Sequence, residues 1–196
     1  VVNDYGRIIV LEDDMVTSPY FLRFMNDGLD CYENEEKVAS IHAYKFPIRN
    51  ILPETYFIKG ADCWGWATWK RAWEFFEQDG EKLLTELKRR KLAREFNFNN
   101  SYSYTQMLRA QIRGKNDSWA VRWYASVFLR GMLTLHPSSS LVTNIGTDSS
   151  GTHCGESTVF DSDLANRPLI VDKLPIKDNI YTRKEMEKFY KSIKFK

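Results

Sequence analysis

Apolar and polar positions follow two rhythms along this chain. Ile8, Ile9, Val10 and Leu11 form an unbroken apolar run, the pattern of a short strand buried on both faces. Phe21, Leu22, Met25, Leu29 and Tyr32 recur at helical spacing. Residues 19–32 therefore read as an amphipathic helix, with Ser18 as N-cap and Pro19 in its first turn. Residues 38–43 and 55–59 read as strands, the second closed by Gly60. Residues 74–94 read as a charged helix whose Leu83, Leu84, Leu87 and Leu92 share a face. A polar loop at 97–101 leads to a helix at 103–113, ended by Gly114, and residues 119–129 form an aromatic run. Residues 132–135 read as a strand ended by Pro137, residues 168–175 as extended chain, and residues 183–193 as a basic helix. Strands alternate with helices early and helices dominate later, which is the pattern of an α/β fold.

The first apolar run ends abruptly in Glu12-Asp13-Asp14. Three adjacent carboxylates repel one another, so core packing does not explain them. At the carboxyl end of a strand, where open α/β sheets bind ligands, they suit a hard divalent cation such as Mg²⁺ or Mn²⁺. The plainer alternative is a solvated turn before the next helix.

A second dense segment spans residues 60–73 and carries four of the six tryptophans, Trp64, Trp66, Trp69 and Trp73. Gly60 and Gly65 let backbone approach a ligand closely. Trp64 and Trp66 offer faces for a pyranose ring, although aromatics beside a strand more often pack in the core. Asp62 is placed to hydrogen-bond ligand hydroxyls. Residues 141–155 are rich in Ser, Thr and Gly and contain His153. His42 and His136 fall in strand contexts and read as structural.

Length and composition bound the rest. The 196 residues, 43% of them hydrophobic, suffice for one packed core. A net charge of +2 provides no whole-molecule field for nucleic acid. Positive charge is concentrated in residues 173–196, with eight Lys or Arg against three Asp or Glu. That segment reads first as a solvated, partly frayed terminal helix. The sharper alternative is a tail resting on an anionic membrane or another subunit. Cys31, Cys63 and Cys154 are widely spaced, which suggests neither a disulfide framework nor a zinc ribbon and fits a reducing, cytoplasmic compartment. No apolar run approaches a membrane span. The chain opens on Val1-Val2 directly before a strand, and we read it as a piece of a longer protein.

Four features occur in a definite order: Glu12-Asp13-Asp14, the Gly/Trp segment around Gly65, Asp117 ahead of Trp119, and His153. Together they resemble a GT-A type glycosyltransferase of the broad family 2 kind, over residues 7–154. The stretch from Pro137 to Cys154 resembles a group of bacterial sugar transferases. The resemblance implies a GT-A fold lacking its N-terminal nucleotide-binding strands. It divides the chain into a metal- and acceptor-binding part at 1–170 and a basic extension at 171–196. It implies Mn²⁺ or Mg²⁺ held by Asp14 and His153, and a nucleotide-sugar donor as co-substrate. Donor or acceptor contacts would fall on Glu12, Asp13, Asp14, Asp62, Gly65 and Trp66. Asp117 would be the catalytic base, in Asn116-Asp117-Ser118 where the family carries Glu-Asp. The implied reaction is sugar transfer, with inversion, to a glycan or lipid-linked acceptor in surface polysaccharide synthesis. The basic tail would give peripheral contact with the inner face of the membrane.

Other classes remain at this point. The chain could be a non-catalytic carbohydrate-binding or interaction module with the aromatic segment as its ligand face. A metal-dependent phosphohydrolase also needs clustered acids, but few histidines are present to complete one. Nucleic-acid binding has only the terminal basic helix in its favour.

Overall fold

A computed structural model describes residues 1–146 and 159–193. The elements in chain order begin with α1 (Val2–Tyr5), β1 (Arg7–Val10), β2 (Met15–Thr17), α2 (Phe21–Cys31) and β3 (Val38–His42). Next come β4 (Thr55–Lys59), β5 (Trp66–Trp69), α3 (Lys70–Trp73), α4 (Gly80–Arg89), α5 (Ala93–Phe96) and α6 (Tyr104–Ile112). The chain continues with α7 (Trp119–Leu129), β6 (Leu133–Pro137), β7 (Val142–Asn144) and α8 (Ile180–Ile193).

Five strands form one mixed sheet in the order β1-β5-β3-β6-β4. β5 runs antiparallel to both β1 and β3, β3 pairs parallel with β6, and β6 pairs antiparallel with β4. It follows that β1, β3 and β6 point the same way and their carboxyl ends share one rim. β2 and β7 form a small antiparallel pair beyond that rim, with Met15 opposite Asn144. The fold is thus α/β with a mixed sheet.

β1 corrects one expectation. Among the described residues it has β5 as its only neighbour, Arg7 is exposed, and Ile8 to Val10 are half-buried rather than covered on both faces. β3, β5 and β6 are the strands buried throughout. Helix α2 forms where the spacing placed it and buries Phe21, Phe24, Met25 and Leu29. Its start is shifted: Tyr20 is the N-cap, and Ser18 Oγ accepts the Tyr20 N–H at 3.3 Å while donating to Ala165 O.

The charged helix expected over 74–94 begins only at Gly80, because Asp79 caps it by accepting the Lys82 N–H. It ends at Arg89 with Arg90 as C-cap, and Lys91, with φ 58°, turns the chain out of the helix. The aromatic run at 119–129 is a helix, capped by Ser118 on the Val121 N–H. Its hydrophobicity on every side matches its place between the sheet and α4 and α6, with Val121 and residues 123–128 buried.

The basic C-terminal helix is no solvated appendage. Met186 and Tyr190 join the main core, together with the extended residues Leu169, Val171 and Leu174. Arg183 is itself buried. It lies over the Phe98 ring, donates to Glu95 O at 2.6 Å and pairs with Asp178 at 3.6 Å. Among the described residues no helix is long and apolar enough to cross a membrane.

Candidate functional site

Residues 60–65 connect β4 to β5, and the strand registers make them cross one face of the sheet. Lys59 pairs with Leu133 at the amino end of β6, whereas Trp66 pairs with Val10 and His42 at the carboxyl ends of β1 and β3. Backbone bonds hold both ends of the crossing: Gly60 N to Met132 O at 3.1 Å, and Ala43 N to Gly65 O at 2.8 Å. Gly60 has φ 113°, and a Cβ there would sit 2.0 Å from the Tyr124 ring. Only glycine fits both conditions.

A crossing main chain over a sheet needs buried polar partners, and the face beneath it supplies them. Thr134 Oγ1 donates to Gly60 O at 2.6 Å, and Ser40 Oγ lies 2.6 Å from Thr134 Oγ1. One register step along, His42 Nδ1 meets His136 Nδ1 at 3.2 Å, with both rings fully buried. Tyr56 stacks on His136 with an interplanar angle of 6°. A 3.2 Å contact between two ring nitrogens requires one to donate and the other to accept, so the two rings are not both charged. Burial accordingly pushes His42 down to about 3, and burial and His42 push His136 well below its ordinary value. Both histidines are structural, as their strand contexts suggested.

The crossing also carries Asp62 toward the acid run. Cys63 marks the convergence: burial and the charges of Asp62, Glu12 and Asp14 all raise its thiol pKa. Burial raises Glu12 first, followed by Asp14, Asp13 and Asp62. Asp62 is raised by burial, opposed by the Cys63 N–H that its Oδ1 accepts at 2.8 Å. Asp14 Oδ2 accepts from Asn144 Nδ2 at 3.1 Å, and the Asp14 carbonyl accepts the Ile145 N–H. Asp14 Oδ1 is buried and, among the described residues, has no hydrogen-bond partner. A Cβ on Gly146 would lie 2.7 Å from Asp14 Oδ2, so glycine keeps that approach open. Asp13 is exposed.

The expected site residues therefore separate into groups. Glu12, Asp14 and Asp62 lie within electrostatic reach of Cys63, and Asp13 is exposed. Asp117 sits in the turn before α7 with its side chain 99% exposed, and its partner is Arg122 at 3.4 Å. Trp119, two residues on, packs against Trp66 at a ring separation of 5.5 Å. His153 lies outside the described residues.

Gly65 and Trp66 need correction as ligand contacts. Gly65 is buried with φ 58°, and a Cβ there would meet Val142 Cγ1 at 2.7 Å, so its role is backbone packing. Trp66 is 3% exposed, held among Trp73, Trp119 and Trp123 at ring separations of 5.5–5.8 Å. Its ring has no free face for a sugar. Trp69 is equally buried, and its Nε1 donates to Leu29 O. Trp64 and Trp73 are the partly exposed tryptophans of the segment. Asn144 and Gly146, which lie against the Asp14 carboxylate, are not among the residues that the sequence singles out as site candidates. Their signal was the Asn-x-Gly spacing within a Ser/Thr/Gly-rich stretch.

Among the described residues no three His, Cys, Asp or Glu side chains form a cage for a metal ion. That does not decide the matter for Mg²⁺ or Mn²⁺, which are often held by one or two carboxylates together with substrate phosphates. The donor set here fits such a role: a buried carboxylate oxygen on Asp14 that has no hydrogen-bond partner among the described residues, preceded by Glu12 and Asp13, which make no ion pair among them. Comparison with protein-family models and with curated proteins finds no match for this chain.

Proposed function

We propose that this chain is part of a metal-dependent glycosyltransferase that moves a sugar from a nucleotide-sugar donor to a glycan or lipid-linked acceptor. The observation that carries the reading is the acid run Glu12-Asp13-Asp14 just past the carboxyl end of β1, with Asp14 Oδ1 buried and, among the described residues, without a hydrogen-bond partner. Buried carboxylates without cations are costly and persist where chemistry uses them.

Asp14 is the residue that would hold the divalent ion, with His153 as the second ligand that the family resemblance implies. When bound, the ion neutralises charge on the diphosphate leaving group. The protein's own residues do the rest. Asn144 and the Ile145 amide fix the Asp14 loop against β7. Glu12 stands behind Asp14, and exposed Asp13 faces the incoming donor. The resemblance assigns removal of the acceptor proton to Asp117, and inversion follows from a single in-line displacement. A finer assignment to the GT-A fold belongs to the same proposal, supported by a mixed α/β sheet with an acid cluster at its carboxyl rim.

The experiment is calorimetry on the full-length protein with a panel of nucleotide-sugars, in Mn²⁺ or in chelator, for wild type and Asp14→Ala. Metal-dependent binding of one donor, lost in Asp14→Ala, is the expected result. Binding of no donor, with Asp14→Ala indistinguishable from wild type, would move the assignment to a carbohydrate-binding or interaction module.

A further inference from the structure

We propose that the carboxyl end of α4 is a docking surface for an anionic lipid bilayer. The inference is independent of the transferase reading and does not fall with it.

The sequence places positive charge on the C-terminal tail, but the structure takes much of that charge out of play. Arg183 is buried, Lys188 is paired with Glu185 at 2.6 Å, and Met186 and Tyr190 hold α8 in the core. A denser group of cations lies elsewhere. Lys88, Arg89, Arg90 and Lys91 are consecutive and exposed, and Arg94, also exposed, follows them. Arg130 joins from the end of α7. There Arg90 Nη1 donates to Leu129 O at 2.8 Å, and the Arg130 guanidinium lies 4.2 Å from the centre of the Phe75 ring.

One carboxylate serves these six cations. Glu86 accepts from Arg89 Nε at 2.9 Å and from Arg90 Nε at 3.1 Å. Glu95 is engaged with Lys59 at 2.8 Å. Lys88, Lys91 and Arg94 make no ion pair among the described residues. Cations at the end of a helix complement its dipole, but that effect fades within the last turn. Lys91 and Arg94 lie beyond α4, so the dipole does not account for them. The whole chain carries only +2, so the rest of the molecule is net acidic. Like charges gathered in this way repel one another, and an anionic surface relieves the repulsion.

Position gives the docking an orientation. The chain passes from α7 into β6, so the patch lies near the amino end of β6. The acid run follows the carboxyl end of β1, which points the same way as β6. Cations and acids therefore occupy opposite rims of the sheet. A negative bilayer attracts one rim and repels the other, leaving Glu12-Asp13-Asp14 facing solution. A cleft of about 990 Å³ bounds the patch, lined by Arg90 and Arg130 and also by Glu36 and Glu74.

The form of the patch selects the partner. Nucleic acid calls for cations that track a phosphate backbone, and single strands also for open aromatic faces. Here the cations are confined to one helix end and the turn after it, and the nearby exposed ring, Phe75, has Arg130 across its face. A layer of lipid headgroups meets all of them at once, and each Lys or Arg near such a surface strengthens binding several-fold.

The test is co-sedimentation of the full-length protein with phosphatidylcholine vesicles, with and without about one-third phosphatidylserine. Lys88→Ser, Lys91→Ser, Arg94→Ser removes three exposed cations and should leave the melting temperature unchanged. Lys184→Ser, Lys191→Ser on α8 is the control for the tail. Wild type should bind only the phosphatidylserine vesicles and be released by high salt. The triple variant should bind about 100-fold more weakly, and the α8 variant should bind like wild type. Absence of binding to phosphatidylserine vesicles, equal binding to both vesicles, or wild-type binding by the triple variant overturns the proposal. Loss of binding in the α8 variant alone returns the contact to the tail. Tighter binding to a mixed-sequence RNA or DNA duplex than to vesicles, lost in the triple variant, assigns the patch to nucleic acid and overturns the lipid assignment.

Discussion

The buried imidazole pair makes a sharp prediction about acid. His42 and His136 are both neutral in the fold, with His42 pushed down to about 3 and His136 also far below its ordinary value. In the unfolded chain each titrates near 6.5. A histidine whose folded pKa is depressed supports the fold fully above the unfolded value. That support is lost as pH falls below 6.5, because only the unfolded state takes up the proton, and the loss stops near the folded value. Between pH 7 and pH 5 each ring costs about 2 kcal/mol by this linkage, so the pair costs about 4 kcal/mol. Against a typical stability of roughly 5–15 kcal/mol, that is a large fraction. Glu12 and Asp62 act in the opposite sense, since their raised pKa values favour the folded state as pH falls through them. A variant that removes only the histidines therefore isolates the pair. The assay is urea unfolding at pH 7 and pH 5 for wild type and for His42→Asn, His136→Asn. Wild type should lose several kcal/mol and the double variant much less. A wild-type loss below about 1 kcal/mol, or an equal loss in both proteins, would refute the argument.

Further expectations follow from other contacts. Gly60→Ala places a methyl group on the Tyr124 ring at a left-handed φ and should cost about 2–4 kcal/mol in chemical denaturation. Arg183→Ala strands the half-buried Asp178 carboxylate and should cost about 3–5 kcal/mol; a much smaller loss would mean that α8 is not integral to the core. Asp14→Asn removes one of the charges acting on Glu12 and should raise the melting temperature while abolishing Mn²⁺-dependent donor binding, the two effects being read by thermal scanning and calorimetry. Trp66→Ala opens the tryptophan cluster around a ring that is 3% exposed and should cost about 3–5 kcal/mol, a loss of stability that a surface stacking residue would not produce.

Local pattern was enough for much of the fold. The helical spacing of Phe21, Met25 and Leu29 and the apolar strands at 38–43 and 55–59 were legible because each is a short-range periodicity. Glu12-Asp13-Asp14 at a strand's carboxyl end was legible because charge repulsion leaves few structural reasons for such a run. The structural histidines were legible from their apolar neighbours. The failures share one cause. α7 is apolar on every side, so it shows no amphipathic period, and its helix is stabilised by packing between sheet and helices. Trp66 and Trp64 are two residues apart and chemically alike, yet one is core and the other partly exposed. Only strand pairing with Val10 and His42 fixes which is which.

By itself, then, the sequence determined the α/β class, the strands at 38–43 and 55–59, the helix near 19–32, and the position of the acids at the end of the first strand. The tertiary structure decided sheet order, with late β6 returning between β3 and β4, and so decided that residues 60–65 must cross the sheet to begin β5. That crossing brings Cys63 within electrostatic reach of Glu12 and Asp14 across about fifty residues of sequence. It also buries His42 against His136, leaves Asp117 in water, and is accompanied by the docking of α8 into the core. The reason is physical: periodicity records which face of an element is apolar, whereas a binding site is a meeting of elements. Such a meeting is set by long-range pairing and close packing.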